Sequence, residues 1–143
     1  MSMEMKYHLR VFRYYCIIKD SIDREYGGEK SVEDIFIKIK ELIKMTAGAS
    51  SLNMNNRKYS FEIFGYDFIL DKEFNVYLLE INTNPGLEES SPLIRMLVPR
   101  MIDDALKLTV DKLFNKQNDE YSPYSVEGYL DNENLWDFVT NYS

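Results

Sequence analysis

Three polar side chains stand where apolar ones are expected. In "YDFILDKEFNVYLLEINTNPG", residues 66–86, Asp67, Glu80 and Asn82 each interrupt or end a run that otherwise reads as buried strand. Side chains alternate along a strand, so Glu80 and Asn82, two apart, share a face. Asp67 is placed by parity. A hairpin loop with an even number of residues makes paired positions sum to an odd number, which sets Asp67 opposite Leu78 or Glu80. Either register puts it on the face of Glu80 and Asn82. Two carboxylates and an amide share one patch of sheet, and like-charge repulsion between the carboxylates disfavours this unless a cation is present. Oxygen donors without His or Cys select a hard ion, and Mg²⁺ completes its shell with water and phosphate oxygens. The face therefore reads as half of a nucleotide-phosphate site. Each residue alone has a plainer reading, an edge aspartate or a turn-forming asparagine; the joint spacing favours the metal.

The elements that must position these residues follow from periodicity. Tyr59 to Leu70 is aromatic and β-branched, with Gly65 marking a bulge or a close backbone approach, and Asn75 to Asn82 is a second strand beyond a turn-like "DKEF". Together they predict an antiparallel hairpin, with Phe61, Phe64, Tyr66 and Phe68 as its packing. Before it, Ser31 and Asp34 signal a helix start, and Ile35, Ile39, Leu42 and Ile43 predict a helix from about Val32 to Met45. "AGASSLNMNNRK" reads as a surface connection. Further upstream, Leu9, Phe12, Cys16 and Ile17 are spaced for one helical face, so residues 1–30 are expected to form an N-terminal helical segment.

After the second strand, "TNPGLEESSP" reads as a loop. Pro92 opens a short helix, and Pro99 restarts the chain into a longer one with Met101, Ile102, Ala105, Leu108 and Leu113 on one face. Residues 115–143 read as a polar tail around an apolar knot at Leu135, Trp136 and Phe138. No internal repeat is evident.

Composition narrows the class. The 143 residues carry 24 acidic and 17 basic side chains, a net charge of −7, which argues against a nucleic-acid partner. One cysteine excludes an internal disulfide framework and a cysteine-based zinc site. The N-terminus lacks the apolar stretch of a signal peptide and no run is long enough for a membrane span, so a cytoplasmic protein is expected.

The residues "FEIFGYDFILD" followed by "VYLLEINTNPGLEESSPL" resemble the C-terminal signature of the tubulin-tyrosine ligase-like family, F-E-x-F-G-x-D-F-x-x-D and then W-L-x-E-x-N-x-x-P-S-L. The likeness includes the thirteen-residue separation of Asp67 and Glu80. It is convincing over residues 35–114, with Tyr77 replacing the usual Trp and Gly86 the usual Ser or Cys. The resemblance implies an α+β fold, a partial ATP-grasp C-terminal lobe of antiparallel sheet packed on helices, spanning residues 31–114. It implies ATP and Mg²⁺ as cofactors, with activation of a carboxylate as an acyl phosphate and attack by an amino-acid amine. By position, Asp67, Glu80 and Asn82 are the metal ligands, and Asn84 with Pro85 shapes the floor near the γ-phosphate, a cofactor-binding role set against the plainer reading of a simple turn.

The expected partners are tubulin, or another acidic protein tail, and an amino acid, with glutamate and polyglutamylation preferred. Cytoskeleton or cilium is the expected location. The family's first lobe, phosphate-holding lysines and adenine hinge have no counterpart before Val32. The chain is thus expected to be a fragment that lacks an N-terminal lobe and is inactive in isolation. The alternative is a non-catalytic interaction module or remnant of that family. Lys38, Lys40 and Lys44 read as a solvated helix face, and His8 as structural. Arg95 and Arg100 read either as contacts for an acidic tail or phosphate, or as solvated helix surface.

Overall fold

The computed structural model describes residues 7–12, 32–51, 60–88, 90–114 and 121–142. Their order is β1 (Tyr7–Phe12), α1 (Val32–Ser51), β2 (Gly65–Leu70), β3 (Val76–Asn82), α2 (Pro92–Leu108), α3 (Val110–Leu113) and β4 (Trp136–Tyr142), an α+β chain. Among the described residues the strands form two two-stranded sheets, β1 with β4 and β2 with β3. The chain divides into one unit of residues 1–11, 17–85 and 138–143 and a second of residues 12–16 and 86–137.

In the first unit the N-terminal expectation is corrected where the structure describes it. Tyr7–Phe12 is a strand rather than helix; its partner β4 lies at the other end of the sequence, so no local pattern reveals the pairing. The remainder of the predicted N-terminal helix lies outside the described residues. Helix α1 starts where its capping signals place it, with Glu33 and Asp34 in the first turn complementing the helix dipole. Val32, Ile35, Ile43 and Ala47 form its buried stripe. It runs past Met45 to Ser51, through residues expected to be a connection. Hydroxyls there donate to the helix's own carbonyls: Thr46 Oγ1 to Leu42 at 2.9 Å, Ser50 Oγ to Thr46 at 3.1 Å and Ser51 Oγ to Gly48 at 2.8 Å. Such bonds satisfy the hydroxyls within the helix without adding to its stability.

The β2–β3 pair is the predicted antiparallel hairpin, although regular pairing starts at Gly65 rather than Tyr59. Its loop, residues 71–75, is organised by Asp71. The Asp71 carboxylate accepts from the backbone N–H of Glu73 (3.0 Å) and Asn75 (2.8 Å), from Asn75 Nδ2 (2.8 Å) and from the Tyr77 hydroxyl (3.2 Å). These donors, the Asn75 side-chain amide foremost, hold the carboxyl below its ordinary value, and the hydrogen bond from the Tyr77 hydroxyl to Asp71 pushes the Tyr77 phenol up. Because the folded carboxyl is the stronger acid, its contribution is complete above the unfolded value near ~3.9 and disappears as pH falls through the lower folded value. The Tm advantage of the wild type over Asp71→Asn should therefore be present at neutral pH. It should shrink on acidification below about pH 4, which a series of thermal melts checks.

Phe74 closes the loop with φ 63° and is 6% exposed. A left-handed backbone is disfavoured for a bulky residue, so burial of the ring must offset the strain. Phe74→Ala keeps the strain and loses the ring, at about 3 kcal/mol. Phe74→Gly loses the ring but relieves the backbone and should be the milder change by about 1 kcal/mol. Denaturant melts of the two variants test this order.

The second unit is organised by α2. Ser91 caps it by accepting from the Ile94 N–H at 3.2 Å, and Pro92 occupies the first turn. The two expected helices are one: Pro99 sits inside α2, where it supplies no N–H to the carbonyl of Arg95 but does not end the helix. Thr109 closes it, its N–H donating to Ala105 and Leu106 and its hydroxyl to Ala105 at 2.8 Å.

Arg100 overturns both of its sequence readings. It is fully buried and donates through Nε to Asp104 at 2.9 Å, through Nη1 to the Tyr124 carbonyl at 3.0 Å, and through Nη2 to the carbonyls of Leu130 (3.0 Å) and Glu133. Asp104, 1% exposed, also accepts from the Leu135 N–H at 2.9 Å. Asn134 Nδ2 donates to the Asp104 carbonyl at 2.8 Å and Trp136 Nε1 to the Met101 carbonyl at 2.9 Å. What reads in sequence as a polar tail is, over residues 121–135, a loop fastened to α2, with Leu135 completely buried. β4 follows directly.

Candidate metal centre

The geometry of the hairpin decides where the predicted ligands lie. Its loop has five residues, an odd number, so pairing at the tip sums to an even number: Leu70 with Val76, Ile69 with Tyr77, Phe68 with Leu78. Continued unchanged, that register would set Asp67 opposite Leu79. A β-bulge between Asp67 and Phe68 takes Leu79 out of the pairing, and beyond it Asp67 faces Glu80, Tyr66 faces Ile81 and Gly65 faces Asn82. The even-loop premise is thus corrected, while the bulge restores the pairing it was meant to deliver. One extra residue in one strand re-aims every side chain beyond it, which is a recurring use of bulges beside functional sites.

The hairpin has two unlike faces. On one, Tyr66 and Phe68 stack with ring centroids 6.1 Å apart, and the Tyr66 hydroxyl lies 3.3 Å from Thr46 Oγ1 of α1. Leu78 is half-buried on the same side. On the other lie Gly65, Asp67, Ile69, Tyr77, Glu80 and Asn82, with Asp67 and Glu80 exposed and Asn82 half-exposed. Phe61, expected as hairpin packing, precedes the strand and is exposed.

On the open face Asn82 Nδ2 donates to Glu80 Oε1 at 3.0 Å. That bond fixes the amide's nitrogen edge on Glu80 and leaves its oxygen to other partners. Among the described residues the Asp67 carboxylate has no hydrogen-bond or ion-pair partner. Asn84 is exposed in the bend that follows β3. The structure thus brings Asp67, Glu80 and Asn82 to one face and sets Asn84 on the adjoining loop. No cluster of three or more His, Cys, Asp and Glu forms among the described residues; the face offers two carboxylates and an amide.

That donor set fits Mg²⁺. Like charges directly opposite on paired strands are destabilising, and a divalent cation between them removes the repulsion. Mg²⁺ takes one or two carboxylates and leaves its other positions to water and phosphate, which an exposed face permits. Sequence periodicity places Glu80 and Asn82 on one face, and the bulge brings Asp67 opposite Glu80. Periodicity gives no sign of the Leu79 bulge on which their alignment depends.

Arg95 is exposed on α2. Lys40 sits 5.0 Å from the centre of the Phe36 ring on α1 and Lys38 is exposed, in keeping with a solvated helix face. No described helix is long and apolar enough to cross a membrane.

Similarity to known proteins now bears on this arrangement. Residues 6–119 match the tubulin-tyrosine ligase family, well beyond the 35–114 in which its signature is legible. Tubulin glycylase 3D of Tetrahymena thermophila is 41% identical over 73 residues, covering 51% of this chain and 7% of its own length. Protein monoglycylase TTLL8 of Homo sapiens is 32% identical over 94 residues, 66% of this chain and 11% of its own. The Saccharomyces cerevisiae protein named "Probable tubulin-tyrosine ligase PBY1" is 29% identical over 123 residues, 82% of this chain and 16% of its own. The chain therefore spans 7 to 16% of the length of these relatives. No solved structure matches. With the match covering most of its length, the chain belongs to the tubulin-tyrosine ligase family.

Proposed function

We propose that this chain supplies the metal-holding hairpin of an ATP-dependent ligase that joins an amino acid to a tubulin tail, within an ATP-grasp fold. The observation that carries the reading is the open face of β2 and β3, on which Asp67, Glu80 and Asn82 stand together. Asp67 and Glu80 would hold Mg²⁺ through carboxylate oxygens, and Asn82 through its amide oxygen while its nitrogen stays on Glu80. When bound, the metal neutralises β- and γ-phosphate oxygens and the charge that develops in phosphoryl transfer. The chain's own part is electrostatic and positional: two opposed carboxylates preset for a dication, and a following loop that sets Asn84 beside them.

Family names support glycine as the transferred amino acid better than the glutamate expected from the motif, since tubulin glycylase 3D and protein monoglycylase TTLL8 are named for glycylation. Cytoskeletal or ciliary tubulin is the acceptor in this reading.

A graft tests it. The 73-residue matched segment of tubulin glycylase 3D is exchanged for that of this chain, and incorporation of labelled glycine into tubulin is measured. The graft should retain glycine transfer and lose about 10²-fold or more with Glu80→Gln in the graft, as expected when a metal ligand is removed. Transfer of glutamate instead would restore the polyglutamylation reading. A graft that folds and binds metal yet transfers nothing would favour the non-catalytic module.

A further inference from the structure

The loop that leaves β3 does not continue away from the strand. Gly65 pairs with Asn82 on the face of Asp67, and a Cβ placed on Gly65 would lie 3.2 Å from Pro85 Cβ, 3.8 Å from Pro85 Cα and 3.6 Å from Asn82 Cβ. Pro85 therefore lies over Gly65, and residues 83–84 form the bend that joins it to the end of β3. Among the described glycines only Gly128 has a left-handed backbone, so Gly65 is needed for the room it leaves and not for its conformational freedom. Pro85 in turn has a fixed φ and no N–H to place, which makes it a stiff partner for a flat contact.

We propose that Gly65 and Pro85 are a positioning pair for the metal centre: their contact sets the direction of the Asn82 side chain and the place of Asn84, though neither touches metal or nucleotide. The inference rests on the metal reading above and deepens it. Filling the space at Gly65 displaces Pro85 by a few tenths of an ångström, and through the short bend of residues 83–84 that shift reaches Asn82, whose own Cβ the added methyl meets only in ordinary contact. At an ordinary strand position the same Gly→Ala change is stabilising; here it acts against the site.

The test uses the 143-residue chain and two NMR readouts. One is the Asn82 side-chain amide resonance without metal, which reports its bond to Glu80. The other is Mn²⁺-induced broadening of the β2 and β3 amides, which gives affinity at the site. Gly65→Ala should shift the Asn82 resonance and weaken Mn²⁺ about tenfold, the usual scale for a residue that orients a ligand. Pro85→Gly should give a smaller loss, and the double variant should resemble Pro85→Gly alone, because the added methyl then has nothing to displace. Overturning results are an unchanged Asn82 signal and affinity in Gly65→Ala, or losses in the two variants that simply add. If the wild type shows no Mn²⁺ broadening, the metal reading fails, while the Asn82 resonance still decides whether the contact positions that side chain.

Discussion

Arg100→Ala should destabilise the protein by about 3–5 kcal/mol, the scale for removing one partner of a buried ion pair. The reason is the number of groups it leaves unmatched. Asp104, almost wholly buried, loses its cation and keeps only the Leu135 N–H. The carbonyls of Tyr124, Leu130 and Glu133 lose the guanidinium donors that hold the 121–135 loop. With typical domain stabilities of about 5–15 kcal/mol, this loss can unfold a substantial part of the unit. Arg100→Lys should recover little, because one ammonium can satisfy Asp104 but cannot span three carbonyls in a fork. The ion pair to Asp131, at 3.8 Å with that side chain 42% exposed, adds little. Denaturant melts give the size of the effect. Hydrogen exchange gives its place, with protection lost first at the Ser122 and Leu135 amides, which donate to Asp131 and Asp104.

Glu80→Gln should move stability in opposite directions with and without metal. Without it, the substitution removes a like-charge pair between directly opposed residues, a gain of about 0.2–1 kcal/mol. With Mg²⁺ and ATP at a hundred times the dissociation constant, the wild type gains about 2.7 kcal/mol by mass action. The variant should forfeit most of that gain. Asp67→Asn should show the same crossing of signs. A thermal-shift series with and without Mg²⁺ and ATP checks it. A merely structural carboxylate would give two shifts of one sign.

The hairpin and its polar face were legible because period-two alternation is local: Glu80 and Asn82 share a face in any strand. The loop length and the bulge at Leu79 were not legible. Phe74 carries no glycine to announce a left-handed turn, and an extra residue leaves no mark on an apolar run. The start of α1 was readable from its caps and its end was not, since Ala47 to Ser51 look like a connection until their hydroxyls bond back along the helix. β1 is hidden in the sequence because its alternation is short and its partner is distant. Arg100 and Asp104 left a signal that could have been used: they fall between Leu97 and Leu108 on the apolar side of α2, four residues apart. Charge ordinarily signals exposure, whereas charge on a buried stripe implies a paired, structural role.

The proposed function requires that Asp67, Glu80 and Asn82 form one cation site. Mn²⁺ titrated into the chain with ATP, read residue by residue through paramagnetic broadening, tests it most directly. Signal should be lost around residues 65–67 and 80–84, an effect abolished by Asp67→Asn and by Glu80→Gln, with the 121–135 loop unaffected. Broadening spread evenly over the acidic surface, or unchanged in both variants, would contradict it.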